Sequence, residues 1–262
     1  MTALISAGKP PRKDPKRARI GLIIPSSNRI IESELVPAFP ESVGVHVARV
    51  RVRGVSVEDL LPSISQAADL LSDANCRVIA FHCTASCMEN GVEVNNRIME
   101  LIQKASGRIA RTTGSAMIAA VNALGIRDLV LLTPYSEATT VRQRSFLNDI
   151  GLNVISTHYR DLNKSPDYCY IAPEYWFQEL IRTADARAQG YLLSCANVSC
   201  MEFIEQAEKT LGRPVLTSNQ AVLWDTLRHA GIDDELEHIG ALGKVAAPLP
   251  PQASNANTSV SV

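Results

Sequence analysis

The chain has 262 residues, 46% hydrophobic and 20% charged, with a formal net charge of −1 at pH 7. That is enough apolar material for one large α/β domain or two smaller ones, and the balanced charge argues against the basic footprint of a nucleic-acid binder. MTALISAGKPP at the N-terminus lacks the apolar run of a secretory signal, and no stretch of about 18 apolar residues occurs, so a cytoplasmic protein with six mostly reduced cysteines is expected.

In chain order, KPPRKDPKRAR (9–19) comes first, and its prolines and cations predict a flexible, solvated arm over 1–18. RIGLII (19–24) reads as a buried strand, followed by a helix near RIIESELVPAF and an alternating strand over VGVHVARVRV (43–52). A helix over VEDLLPSISQAADLLSD, a strand over CRVIAF (76–81) and a helix over EVNNRIMELIQKAS complete a first series. The second series runs through DLVLLT (128–133), a helix over ATTVRQRSFLNDI, the strand NVISTHY and a helix over EYWFQELIRTADA. It closes with GYLLS (190–194), a helix over EFIEQAEKTL, the strand RPVLT and a helix over NQAVLWDTLRHA. Continuously apolar strands alternating with helices predict an α/β fold, with parallel sheets covered by helices on both faces. The end of the chain, APLPPQASNANTSVSV, has nothing to bury, and a disordered tail is expected over 241–262.

The chain also repeats itself. RIGLIIPSSN (19–28) matches DLVLLTPYSE (128–137), so that Pro25 falls on Pro134, and CRVIAFHC ends on Cys83 as QGYLLSC ends on Cys195. GRIARTTGSAMIAAVNALGI (107–126) resembles GRPVLTSNQAVLWDTLRHAGI (212–232), with Thr112 and Thr113 falling on Thr217 and Ser218. Three ordered matches imply two copies of one parallel-sheet, flavodoxin-like unit, over 19–126 and 127–240. A pseudo-two-fold axis is expected to relate them, with the active site in the cleft between.

Ligands of open parallel sheets gather outside the carboxyl ends of the strands. Cys83 and Cys195 each follow a strand and are expected to precede a helix, so facing halves bring the two thiols to opposite sides of one cleft. Thiols so placed can act as acid and base on one carbon, or one can attack while the other delivers a proton. Nearby helix N-termini are expected to lower the thiol pKa and to hold carboxylates. The spacings CTASC and CANVSC do not match a zinc ribbon, and a disulfide is disfavoured in the cytosol. Cys76, Cys87, Cys169 and Cys200 lie off the matched strand ends and read as small buried hydrophobes. His82 adjoins Cys83, but strand neighbours point to opposite faces, so it is not expected to serve that thiol. PSSN (25–28) and PYSEATT (134–140) put hydroxyls, an amide and Tyr135 at two more strand ends, where Ser, Thr and Asn are also ordinary caps. No GxGxxG or GxxxxGK stretch is present to cradle a nucleotide, so chemistry without a cofactor or metal is the economical reading.

These residues resemble the aspartate/glutamate/hydantoin racemase superfamily, within it the branch of maleate cis-trans isomerases and arylmalonate decarboxylases. The resemblance runs from Arg19 to about Gly231. IGLIIPSSN is similar to the first strand and loop of maleate isomerases, and FHC (81–83) falls at their first catalytic cysteine. LLSC (192–195), with EQAEKTLGRPVLTS and WDTLRHAG, is similar to the second-cysteine region of both groups. The resemblance implies catalysis by Cys83 and Cys195. It implies a substrate held by Ser27, Asn28, Tyr135 and the backbone N–H groups of Thr84, Ala85, Ala196 and Asn197, while Asn163 and Ser165 compete for a second polar position. Arylmalonate decarboxylases carry glycine where Cys83 stands, whereas racemases and maleate isomerases keep both cysteines, and PSSN tilts the expectation to the isomerases.

The implied activity is cofactor-independent isomerisation of a small dicarboxylate. The alternatives are two-thiol racemisation of an amino acid or hydantoin, then an arylmalonate decarboxylase-like enzyme or a non-catalytic small-acid-binding protein. No nucleic-acid or membrane partner is implied, and a homodimer is compatible with the resemblance. Two departures adjoin the expected substrate: Arg29 follows Asn28 where isomerases usually continue with Thr, and TASCMENG is polar where they carry aliphatic residues and Met. Both leave room for a substrate larger or more polar than maleate.

Overall fold

The computed structural model describes residues 16–162 and 165–246. The first half comprises β1 (Ala18–Pro25), a π-helical turn (Ile31–Leu35) with a 3-10 turn (Val36–Ala38), β2 (Val43–Val50), α1 (Val57–Asp73) and β3 (Val78–Phe81), then α2 (Thr84–Met88), α3 (Gly91–Ser106), β4 (Ile109–Thr112) and α4 (Thr113–Ala123). The second comprises β5 (Asp128–Thr133), α5 (Glu137–Asp149), β6 (Asn153–Tyr159), the short α6 (Ser165–Tyr168), α7 (Pro173–Arg182) and β7 (Gly190–Leu193). It continues with a 3-10 turn (Met201–Phe203), α8 (Ile204–Leu211), β8 (Val215–Thr217), α9 (Ser218–His229) and the short α10 (Gly240–Gly243).

The strands form two four-stranded sheets with orders β2-β1-β3-β4 and β6-β5-β7-β8, and every pairing is parallel. The same order in both sheets is the expected duplication. β3 and β7 are buried along their whole length, which is why VIAF and GYLL are unbroken apolar runs rather than alternating ones.

Differences from the sequence-based expectation have local causes. The helix expected near RIIESELVPAF is a π turn running into a 3-10 turn. Pro37 has no N–H to continue the ladder of an α-helix, so the turn tightens there although Val36 itself keeps helical dihedrals, φ −61° and ψ −43°. At its start, Asn28 Oδ1 accepts the N–H groups of Ile30 and Ile31, both at 2.9 Å. Ends of the expected arm and tail are held in place. The Arg17 N–H donates to the Ser42 carbonyl at 2.7 Å and β1 already begins at Ala18, so the anchored chain starts before residue 19. At the other end, the Val245 carbonyl accepts from Trp224 Nε1 at 2.8 Å and from Arg228, so the chain through 245 is packed rather than part of a tail. The remainder of both segments lies outside the described residues.

The halves meet along α4 and α9, which pack against each other. Each begins with a capping box, Thr112 with Ser115 and Thr217 with Gln220, so the matched threonines are matched helix caps. α4 is rich in small residues; a Cβ on Gly114 would stand 2.4 Å from Asn95 Oδ1, closer than any real contact. α9 is buried all round from Ser218 to Arg228, so its polar side chains must find partners inside the protein. Asp225, 1% exposed, takes a bidentate pair from Arg111 on β4, with Nε at 2.6 Å and a terminal nitrogen at 2.9 Å. His229 one turn later donates from Nδ1 to the Asp225 carbonyl at 2.8 Å and lies 3.3 Å from its carboxylate.

Removing one partner of a buried ion pair leaves the other charge unpaired, so Asp225→Ala is expected to lower unfolding stability by about 3–5 kcal/mol. Urea denaturation checks this, and a loss under about 1 kcal/mol would put the pair in the class of surface bridges. The hydrogen bond to Asp225 raises the His229 pKa above its ordinary 6.5. Its contribution is therefore fully present below that ordinary value and lost as pH rises through the raised one. The melting-temperature gap between the parent and His229→Gln should be wider at about pH 5.5 than at about pH 8.5.

Candidate active site

A cavity of about 440 Å³ opens where the carboxyl ends of both sheets face each other. Every expected site residue within the described part of the chain, apart from Ser165, lines it. Asn163 lies outside the described residues, and Ser165 is placed only as the start of α6.

Cys83 leaves β3 and serves as the residue before α2. Its thiol donates to Ser86 Oγ at 3.2 Å, and the backbone N–H groups of Ser86 and Ala85 also point at the sulfur. Cys195 leaves β7 in the second half and lines the same cavity. It is followed by a turn, not by the expected helix, and the Asn197 N–H donates to its sulfur at 3.3 Å. The Tyr135 hydroxyl bonds the same sulfur.

The expected fall in thiol pKa is not what the structure shows. Burial raises Cys83, and it pushes Cys195 to about 12, because removing a thiolate from water costs more than these few donors return. Burial and the neighbouring Cys195 likewise hold the Tyr135 phenol well above its ordinary value. The two walls differ in degree: Cys83 has a hydroxyl and two amides pulling towards the thiolate, whereas Cys195 sits far up the scale.

The loop after β1 is sewn to the loop after β7. Asn28 Nδ2 donates to the Ala196 carbonyl at 2.8 Å, and the Arg29 N–H donates to Asn197 Oδ1 at 2.9 Å. One amide hydrogen of Asn28 is thus committed to the partner loop and its carbonyl to the π turn, which leaves its second N–H for a ligand. Thr84 is fixed across the halves by its hydroxyl, which donates to Ser218 Oγ at 2.9 Å. Ala85 and Asn197, expected to offer amides to a carboxylate, turn them onto sulfur instead.

The remaining cysteines divide. Cys76, Cys87 and Cys200 are fully buried, and Cys87 Sγ turns back to the Phe81 carbonyl at 3.7 Å. Cys169 is partly exposed, which corrects its reading as a buried hydrophobe. His82 is buried away from the Cys83 sulfur, as expected, with its ring bonded to Thr113 and Asn219. Arg29 turns its guanidinium to the Tyr170 ring and hydroxyl rather than into the cavity.

Three features escaped the sequence. Ser86 bonds Cys83, and its signal was a hydroxyl three residues beyond a helix-capping position. Tyr168 stands edge-on to Tyr135 at 5.3 Å between ring centroids, from a helix too short to announce itself. Val52, Val55 and Leu60 add apolar surface to the cavity lining, and Arg53, Glu89 and Asn90 add polar surface to it.

Fold and site together define a two-halved α/β protein with one cysteine from each half facing a shared cleft. The chain belongs to the arylmalonate decarboxylase family, whose model matches residues 20–243. It is 24% identical over 256 residues to a maleate isomerase of Alcaligenes faecalis, covering 91% of this chain and all of that enzyme. It is also 24% identical over 227 residues to the arylmalonate decarboxylase of Bordetella bronchiseptica, covering 81% of this chain and 90% of that one. Among solved structures, a cysteine variant of the Pseudomonas putida S16 maleate isomerase with maleate superposes with a TM-score of 0.81 at 21% identity, covering 88% of this chain and 98% of that one. A Nocardia farcinica maleate cis-trans isomerase mutant with a covalently bound succinylcysteine intermediate gives 0.80 at 22% identity, covering 87% and 98%.

The thiolate is the species that alkylates, so labelling of Cys195 should rise about tenfold per pH unit without levelling off below about pH 10. Iodoacetamide labelling of a Cys169→Ser protein, read by peptide mass spectrometry, measures this. A plateau near pH 8 would contradict the raised value at Cys195.

Proposed function

We propose that the protein is a cofactor-independent cis-trans isomerase of a small dicarboxylate, with maleate as the reference substrate. The observation that carries this is that Cys83 and Cys195, one from each half, line one cavity with unequal hydrogen-bond support. The maleate isomerases among its relatives, one of them holding a succinylcysteine intermediate, support the same reading.

The Cys83 sulfur, favoured as thiolate by Ser86 and the Ala85 and Ser86 amides, attacks one olefinic carbon. The C=C electron pair moves to the neighbouring carbon, which takes the proton of the Cys195 thiol. The product is a succinyl thioether on Cys83 and a thiolate on Cys195. The former double bond is now single and rotates. Cys195 then removes a proton from the carbon it protonated, the C–S bond breaks, and Cys83 leaves as thiolate with the trans diacid. Nothing is consumed. Charge moving onto a substrate carboxylate during attack is met by neutral donors, namely the free Asn28 amide hydrogen and the Thr84 and Ala196 N–H groups, while the Tyr135 hydroxyl stays on the Cys195 sulfur.

A homodimer and a cytoplasmic setting, which would keep the thiols reduced, go with this reading. Among the described residues no helix is long and apolar enough to cross a membrane.

Purified protein should convert maleate to fumarate, followed by proton NMR. Cys83→Ser should remove turnover, while Cys195→Ser should lower it by about 10²–10⁴-fold, the usual contribution of a positioned proton-transfer group, and leave a succinyl adduct detectable by mass. If maleate is inert while a single enantiomer of aspartate, glutamate or a hydantoin loses optical activity with deuterium uptake, the racemase alternative holds instead. Release of carbon dioxide from an arylmalonate would select the decarboxylase.

A further inference from the structure

Outside the cavity lining, a chain of polar side chains, fully buried at His82 and Asn219 and half-buried at Glu34 and Ser199, joins the two cysteine-bearing loops without touching either sulfur. His82, immediately before Cys83, is fully buried, and its ring lies between two helices from different halves. Nδ1 is 2.9 Å from Thr113 Oγ1 at the start of α4, and Nε2 is 3.0 Å from Asn219 Oδ1 on α9. The Asn219 amide nitrogen donates to Glu34 Oε1 at 3.2 Å. The other Glu34 oxygen accepts the Ser199 hydroxyl at 2.7 Å and the Cys200 N–H at 3.0 Å, in the loop that follows Cys195.

Each bond dictates the polarity of the next. A carboxylate can only accept, so Asn219 must present N–H to Glu34 and its oxygen to His82. His82 must therefore carry its proton on Nε2, and Nδ1 accepts from Thr113. Burial pushes the His82 pKa down to about 4, so the ring is neutral and only one tautomer satisfies the chain. The chain passes from the first half to α9 and back to the π turn before it ends at Ser199 and Cys200, in the loop that follows Cys195. Burying an amide and an imidazole, and half-burying a carboxylate, costs more than an apolar contact of the same shape. What they contribute in return is one permitted arrangement at the junction.

We propose that His82, Asn219 and Glu34 are positioning residues that set the placement of Cys83 relative to Cys195 across the cavity. This rests on the two-thiol isomerase reading. None of the three lines the cavity, so their effect falls on the geometry of attack and proton transfer rather than on the grip on substrate.

Glu34→Gln is the sharpest test. An amide oxygen kept on Ser199 and Cys200 turns the new NH₂ towards Asn219, which must flip, and His82 must then move its proton to Nδ1. Nitrogen-15 NMR of the ring should show that tautomer change. With maleate, kcat should fall by about 10–100-fold, the scale of a misplacement near 1 Å, while KM stays within about twofold. Asn219→Leu, which cuts the chain, should give the same split. Unchanged kcat in a folded variant, or a rise in KM alone, overturns the proposal.

The fate of the isomerase reading is separable. In a Cys169→Ser background, 1,3-dibromoacetone bridges two thiols with loss of two bromides and two protons, and mass spectrometry reads the Cys83–Cys195 bridge whether or not maleate turns over. A yield at least threefold lower in both variants than in the parent supports the positioning role. Equal yields refute it even if the parent proves inactive on maleate.

Discussion

The cavity depends on the hydrogen bonds that tie the loop after β1 to the loop after β7. Asn28 reaches the Ala196 carbonyl and the Arg29 N–H reaches Asn197 Oδ1, so each loop satisfies polar groups that the other buries. Opening the halves at this point would strip the partners from both groups at once. Hydrophobic packing of α4 on α9 holds the halves together but is non-directional and would tolerate sliding. The directional part comes from these loop bonds and from the forked Arg111–Asp225 pair, which admits one orientation of α9 against β4.

Duplication accounts for the frame and its breakdown accounts for the chemistry. The sheets share one strand order, and the threonines that cap α4 and α9 occupy matched places. The strand ends differ. Cys83 runs straight into a helix whose first amides converge on sulfur, whereas Cys195 enters a turn with one amide and a phenol for company. The residues just before them diverge as well: His82 bonds Asn219 across the halves at 3.0 Å, whereas the Ser194 hydroxyl donates to Gln143 in its own half at 2.9 Å and reaches across only to Met88 Sδ at 4.0 Å. Two equal thiols would suit a reaction that treats both faces of a carbon alike. Unequal ones suit a division into nucleophile and acid.

Much of the fold was legible because buried parallel strands must be continuously apolar, as DLVLLT is along β5, while the half-exposed edge strand β6 shows in NVISTHY through its β-branched residues; both match residue for residue. The π turn was not, because its conformation follows from Asn28 capping and Pro37, neither of which leaves a periodic trace. In the site, what could be read were the residues fixed by chain position, above all the cysteines at strand ends. What could not be read were the consequences of burial. A helix start beside a thiol suggests a low pKa, but the sequence does not say how deeply the sulfur will lie, and desolvation sets the sign. Cys169 failed for the complementary reason, since a cysteine near a short surface helix is indistinguishable in sequence from a packed one.

The raised thiols are compatible with the proposed reaction and help to order it. A thiol near 12 is a poor nucleophile at neutral pH because so little of it is ionised. Its conjugate base, once formed by giving up a proton, is correspondingly strong. Elimination from a succinyl thioether requires a proton to be pulled from carbon, and a strongly basic thiolate beside that carbon provides the driving force that an ordinary surface cysteine lacks. Cys83 has the opposite requirement, because it must attack and later depart as thiolate, and its three donors favour the ionised form against burial. Burial supplies the basicity on one wall, and local donors moderate it on the other.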